Sequence, residues 1–130
     1  MPKLLLISNF YSSFISSGTS LRTRELKRGL SLLGWSCQVV TIARRQLPVS
    51  EEPDNASILS LQTLSDKYPI PLSSLFSLFA AVKNCDIVHI IDHWSVLNLA
   101  TVFFCLLAGK PYVFSPCGAL APFGKNILLK

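Results

Sequence analysis

Charged side chains, and acidic ones above all, are scarce in this sequence. Of 130 residues only 15% are charged and seven are acidic, and the net charge is +5. Half of the residues are hydrophobic, which argues against disorder and favours a single domain whose sheet is covered on both faces. The acids nearest to each other, Glu51 and Glu52, fall in a polar stretch with two prolines, which provides no carboxylate pair of the glycosidase type.

Cysteine pairs with metal-ligand spacing are also missing. The four cysteines, Cys37, Cys85, Cys105 and Cys117, show no C-x-x-C spacing, and each lies in or beside an apolar segment. This pattern predicts free buried thiols in a reducing cytoplasm, with neither a zinc site nor disulfides.

Long hydrophobic runs are absent as well. The run from Leu4 to Ile7 is shorter than the roughly 7 to 15 apolar residues of a signal-peptide core. The stretch from Val96 to Ala108 is interrupted by Asn98 and Thr101, and it falls short of the roughly 20 residues that span a bilayer. We therefore predict a core helix over 96–108 in a cytoplasmic protein.

Glycine is sparse in the first loop, where a nicotinamide-binding turn would need the pattern G-x-G-x-x-G. Only Gly18 stands there, which disfavours a dinucleotide cofactor. The small residues 16–19 before the first predicted helix leave two interpretations open. They form either a plain structural turn or a loop whose amides contact an anion.

Alternating strand and helix patterns run through the whole chain. Apolar runs predict strands at 3–8, 35–43, 56–61, 86–91 and 112–115. Helical spacing predicts a first helix that is capped by Thr19 or Ser20 and ends at Gly34, a second from about Leu72, and a third over 96–108. This alternation predicts an α/β fold with a Rossmann-like, doubly wound parallel sheet in one domain, 1–130.

The first helix carries the largest cluster of basic residues. An apolar stripe of Leu21, Leu26, Leu30 and Leu33 alternates with basic residues at helical spacing. The basic residues are Arg22, Arg24, Lys27 and Arg28. We interpret them as a solvated face, with attraction to anionic substrates or to a membrane surface as the alternative.

The β-α-β unit between residues 86 and 118 is the most informative segment. Polar residues follow both of its strands, and the carboxyl ends of buried parallel strands meet at one edge. The residues expected at that edge are Asp92, His93, Trp94, Ser115, Cys117 and Gly118. Alternatives remain: Asp92 or Ser95 caps the next helix, Trp94 plugs the sheet end, and His89 is a satisfied core or rim histidine.

The order and spacing of several short motifs resemble a known family. The motifs are Leu4-Leu-Leu-Ile-Ser-Asn-Phe-Tyr11, Gly18 with Arg24-Glu-Leu26, Leu33-Gly-Trp35, Val39-Val-Thr41, Asp86-Ile-Val-His89, Trp94-Ser95, Gly109-Lys-Pro-Tyr-Val113 and Ser115-Pro-Cys-Gly118. They resemble the N-terminal domains of retaining glycosyltransferases of family four, which have the GT-B fold of two Rossmann-like domains. The resemblance covers nearly the whole chain.

The resemblance implies roles for individual residues. Ser17 and Gly18 match a Gly-Gly pair near the donor diphosphate. The segment 115–118 matches Ser-Pro-His-Gly, so that Cys117 occupies the position of a histidine at the sugar-transfer site. A thiol lacks the two nitrogens of imidazole, and His93, with Asp92 beside it, is the candidate substitute. Trp94, Ser115 and Gly118 are the expected substrate contacts.

The resemblance also implies partners and an activity. The donor is a nucleotide diphosphate sugar, the acceptor is a glycan or a lipid-linked glycan, and no metal, further cofactor or nucleic acid is expected. The family's second, donor-binding domain has no counterpart in 130 residues, so we expect an incomplete N-terminal domain that is inactive without a separate donor domain. Peripheral contact with the inner face of a membrane fits a lipid-linked acceptor. The alternative is a non-catalytic α/β binding or interaction module.

Overall fold

Strands and helices alternate in the computed structural model, which describes residues 1–9, 11, 18–42, 58–61, 74–91 and 95–116. The elements in chain order are β1 (Lys3–Ser8), α1 (Gly18–Leu32), β2 (Ser36–Ile42), β3 (Ile58–Leu61), α2 (Leu75–Asn84), β4 (Ile87–Ile91), α3 (Val96–Ala108) and β5 (Tyr112–Ser115). The predicted boundaries of α3 and β5 are confirmed, and α2 begins at Leu75 instead of about Leu72.

The five strands form one parallel sheet in the order β3-β2-β1-β4-β5. The central strand β1 pairs with β2 on one side and with β4 on the other, so that Leu6 lies opposite both Val39 and His89. This is a Rossmann-like, doubly wound α/β fold, as the sequence predicts. The strand order reverses between β1 and β4, and in such sheets ligands bind in the crevice at the carboxyl ends of those two strands.

The continuous apolar run of β1 supplies both faces of the sheet, because side chains alternate along a strand. Leu5 and Ile7 join a cluster that includes buried residues of α2 and α3. Leu4 and Leu6 join a smaller cluster, against which Leu26 of α1 packs. Helix α1 therefore covers one face, and α2 with α3 covers the other.

Helix α1 differs from the prediction in its start and in its buried face. The helix already includes Gly18, so Thr19 and Ser20 lie inside it and the predicted cap is wrong. Its buried residues are Ser20, Thr23 and Lys27. Thr23 can be buried because its hydroxyl donates to the carbonyl of Thr19 at 2.8 Å within the helix.

The predicted apolar stripe and solvated basic face of α1 are therefore only partly correct. Leu26 and Leu30 pack against the sheet, whereas Leu21 and Leu33 are exposed. Lys27 is only 6% exposed and does not belong to the solvated face. The aliphatic stem of a lysine makes such burial possible.

Helix α3 is apolar apart from Asn98 and Thr101, and it ends at a glycine. Gly109 has φ of 63°, and its amide and the next one donate to carbonyls of the last turn. Against α2 the helix packs Phe104 on Phe79, with ring centroids 5.1 Å apart. On the outer side Phe103 and Leu106 are mostly exposed. Within the described ranges, no helix is long and apolar enough to cross a membrane.

Candidate functional site

The crevice between the carboxyl ends of β1 and β4 is the candidate site, flanked by the first turns of α1 and α3. Two of the predicted site residues, Gly18 and Ser115, belong to the described part of the chain. The other predicted site residues lie outside it: Ser17, Asp92, His93, Trp94, Cys117 and Gly118. Their roles at the site therefore remain predictions.

Ser115 at the end of β5 is joined to His89 of β4. The His89 Nε2 and Ser115 Oγ atoms are 2.8 Å apart, and which of them donates depends on the imidazole tautomer. The pairing follows from the register, because His89 lies opposite Val113 and Ser115 is two residues further on the same face. His89 is therefore a partly buried histidine with a hydrogen-bond partner on the neighbouring strand.

His89 is held in its neutral form at neutral pH. Burial lowers the pKa of the imidazole below its ordinary value, and the positive charge of Arg22 on α1 lowers it further. A neutral imidazole has one donating and one accepting nitrogen. Depending on which of them faces Ser115, the Ser115 hydroxyl can either donate a hydrogen bond to a ligand or accept one from it. This suits the recognition of hydroxyl groups.

A second polar cluster links the end of β1 to the start of α3. The Asn9 Nδ2 atom donates to Ser95 Oγ at 3.0 Å, and the same Oγ accepts from the backbone amide of Asn98 at 3.1 Å. Ser95 is thus the N-cap of α3, in agreement with the capping alternative of the sequence. The bond across the crevice ties the end of the central strand to the first turn of the helix.

Gly18 begins α1 on the opposite wall of the crevice. A Cβ atom added at Gly18 would meet no heavy atom of the described residues within 4 Å, and no left-handed φ requires glycine there. The first turn of α1 is therefore open at this point. Its initial amides have no acceptor inside the helix, which is the arrangement that anions bind.

The cysteines and potential metal ligands of the described segments do not form a reactive centre. Cys37, Cys85 and Cys105 are free and buried, as predicted, and burial raises the pKa of each thiol, that of Cys105 to about 11. They are protonated at neutral pH and poor nucleophiles. No three His, Cys, Asp or Glu side chains within these segments lie close enough to hold a metal ion.

Sequence reasoning missed three members of the site: Asn9, Arg22 and Asn98. Asn9 had a usable signal, since it is a polar residue immediately after a buried strand. Asn98 had another, because with Thr101 it interrupts a helix that is otherwise apolar. Nothing in the sequence indicated that Arg22 of α1 would act on His89, because their proximity depends on how α1 crosses the sheet.

Comparison with known proteins adds no family to this geometry. Neither the models of protein families nor the curated proteins include a match to the chain. The fold and the polar groups at the crevice, together with the motifs of the sequence, are therefore the basis for assigning a function.

Proposed function

We propose that this chain is the N-terminal, acceptor-side domain of a GT-B glycosyltransferase that moves a sugar from a nucleotide diphosphate donor to a glycan or lipid-linked acceptor. One observation carries the proposal: the Asn9–Ser95 bond lies at the point where the strand order of a doubly wound sheet reverses, and the His89–Ser115 pair lies on the neighbouring strands β4 and β5. The motifs that resemble family-four transferases contribute four described residues to these groups, namely Asn9, His89, Ser95 and Ser115.

The proposed roles follow from the groups at the two walls of the crevice. The open first turn of α1 at Gly18, with Ser17 before it, faces the donor diphosphate through backbone amides. The neutral His89–Ser115 pair and the loops 92–94 and 115–118 form the acceptor side. In this proposal transfer is retaining, needs no metal, and takes place in the cytoplasm or at the inner face of a membrane. The donor sugar is held mainly by a second domain.

The alternative is a non-catalytic binding or interaction module. The outer face of α3 favours it, because Phe103 and Leu106 are 60% and 69% exposed, and apolar patches of this kind mark protein or membrane contacts. A module of this kind would bind a partner through the apolar face without transferring a sugar.

Amide chemical shifts of the 130-residue chain test the proposal directly. Sugars linked to uridine, guanosine or adenosine diphosphate are titrated in turn, and we expect at least one to shift Gly18, Thr19 and Ser20 with a dissociation constant weaker than about 1 mM. Gly18→Val should remove the response by blocking the backbone. Gly29→Val is the matched control, since it places the same side chain in the same helix away from the crevice. Shifts elsewhere for every donor, or micromolar binding with transfer by this chain alone, would contradict the proposal.

Catalysis is tested by adding a second, donor-binding domain. The chain alone should bind a nucleotide sugar only weakly. Sugar transfer should become measurable when a separately expressed donor domain of a GT-B enzyme is added or fused to it. In that fusion Cys117→His should raise the rate about 10- to 100-fold, since a hydrogen bond to a charged group is worth about 1.5 to 3 kcal/mol. No transfer with any donor domain, together with retained binding of a protein partner, would favour the module.

A further inference from the structure

Asn98 is a buried polar side chain whose hydrogen-bonding capacity is unused. The residue is 5% exposed, and within the described part of the chain neither its Oδ1 nor its Nδ2 atom has a hydrogen-bond partner. Buried amides are nearly always paired, because leaving one unpaired costs about 1 to 3 kcal/mol. A leucine or alanine at this position of an apolar helix would avoid that cost. An asparagine at this position therefore points to a partner that binds from outside the chain.

The position of Asn98 places this amide at the candidate site. It belongs to the first turn of α3, and its backbone amide donates to the Ser95 hydroxyl that also accepts from Asn9. Cα–Cβ bonds tilt toward the start of a helix, so the carboxamide lies over this first turn. Asn98, Thr101 and Cys105 form the buried stripe of α3 that faces the sheet. From this direction and the burial of the residue we infer that the carboxamide faces the sheet near the start of α3.

The two unused atoms specify the chemistry of the partner. Nδ2 donates and Oδ1 accepts, so a complementary group must accept and donate at once. An anion accepts only, and it would leave Oδ1 unpaired. A pair of neighbouring hydroxyls satisfies both atoms, and neighbouring hydroxyls are what a neutral sugar ring presents.

We propose that Asn98 is a specificity-determining residue that binds two adjacent hydroxyls of a neutral sugar in the acceptor. This rests on the proposed function and adds the substrate class of its acceptor side. Because the carboxamide is enclosed, the sugar reaches it with a local displacement at the crevice, and association is slower than for an open groove.

The test uses the whole chain, two variants and one matched control. Asn98→Leu and Asn98→Ala remove the unused amide with a larger and a smaller side chain. Thr101→Val is the control on the same stripe, because its hydroxyl is already satisfied by the carbonyl of Leu97 at 2.7 Å. The probes are the methyl glycosides of glucose, galactose, mannose and N-acetylglucosamine, at concentrations up to 100 mM. Sorbitol at equal concentration corrects for the general stabilisation by polyols.

We expect at least one glycoside to raise the melting temperature of the native chain and of Thr101→Val beyond the sorbitol effect. It should also shift the side-chain amide resonances of Asn98. Both Asn98 variants should bind that glycoside at least tenfold more weakly, and at least one should melt at or above the native temperature without sugar. A glycoside response that survives either variant, or its absence from the native chain, overturns the proposal. So does a loss of stability in both variants beyond that of Thr101→Val, which would indicate a structural buried water only.

The outcomes separate this inference from the proposed function. Sugar binding at Asn98 without any nucleotide-sugar response at Gly18 would support the sugar site and contradict the transferase. A response at Gly18 with an unaltered glycoside response in the Asn98 variants would support the transferase and remove Asn98 from its acceptor site.

Discussion

The two faces of the sheet are packed by different chemistry. The face under α1 has the smaller apolar cluster and also buries five polar residues, namely Ser8, Ser20, Thr23, Lys27 and Thr41. On the face under α2 and α3 the buried polar residues are Asn98 and Thr101, and the larger apolar cluster lies there. His89 and Ser115 belong to the polar face. We infer that the apolar layer supplies most of the stability, while the α1 layer supplies hydrogen-bonding groups at the price of a thinner core.

The largest expected difference between the layers is in the cost of a cavity. Leu78→Ala on α2 should lower the free energy of unfolding by about 2 to 5 kcal/mol, because Leu78 is fully enclosed by the larger cluster. Leu26→Ala on α1 should cost less than about 2 kcal/mol, since Leu26 is only partly buried. Urea denaturation measures both. Equal costs would mean that α1 contributes as much core as the other layer.

Two glycines should respond with opposite signs. Gly109, at the end of α3, has left-handed φ of 63°, so Gly109→Ala should destabilise the chain by about 1 to 2 kcal/mol. Gly29 lies within α1 and an added Cβ meets nothing within 4 Å, so Gly29→Ala should stabilise by about 0.5 to 1 kcal/mol. Thermal unfolding gives both values. A stabilising Gly109→Ala would contradict the glycine-terminated end of α3.

Replacing His89 should change the free energy of unfolding very little at neutral pH. Its effect should appear only at acidic pH. The pKa of His89 is lowered in the folded chain by burial and by Arg22, so the unfolded chain takes up the proton first. Stability is therefore full above the unfolded value of 6.5 and falls as the pH decreases below it. His89→Gln should flatten this dependence between pH 7 and about pH 5.

Arg22→Gln provides the control for the cause of that dependence. Removing the charge should raise the pKa of His89 part of the way back and weaken the acid sensitivity, while burial still acts. Urea midpoints measured across the pH range, with the His89 ring resonances as a second readout, decide this. A His89 pKa at or above 6.5 in the native chain would mean that the imidazole is neither buried nor influenced by α1.

The smallest effect is expected on the outside of the apolar layer. Phe103 is 60% exposed, so Phe103→Ser should change the free energy of unfolding by no more than about 0.5 kcal/mol while raising solubility. Phe104→Ser is the matched control on the adjacent residue, and it should cost clearly more because Phe104 packs against Phe79. If Phe103→Ser and Phe104→Ser lowered the free energy of unfolding by similar amounts, the outer surface of α3 would be covered in solution.

The sequence predicts the layered fold well because the signals behind it are local. The apolar run of β1, the helical segment 96–108 and the glycine at 109 each determine one element without reference to the rest. The face that α1 buries was predicted less well. The helical periodicity favours burial of Leu21 and Leu33, but the helix buries Thr23 and Lys27 instead. Thr23 is tolerated because its hydroxyl is hydrogen-bonded inside the helix, and Lys27 because its stem is aliphatic.

The sequence predicts where the candidate site lies, but not which of its residues contact each other. Parallel strands bring their carboxyl ends together, so Ser115 and the crevice were predictable from order alone. The pair with His89 depends on register, and the bond from Asn9 to Ser95 joins residues 86 positions apart. Contacts between residues so far apart produce no periodic pattern in the sequence. Proposed roles for Asp92, His93, Trp94 and Cys117 rest on their motifs.

The position of β1 at the centre of the sheet affects how the chain folds during synthesis. β1 precedes both of its partner strands, and the backbone amide of Lys3 meets the carboxylate of Asp86 at 2.8 Å, 83 residues further along. Closing so long a loop is slow, since its entropy is lost before the pairing is gained. On a ribosome the segment Leu4 to Ile7, apolar on both sides, stays unpaired with β4 for on the order of ten seconds. During that time β2 can already pair with one side of β1, while the side that later pairs with β4 remains exposed.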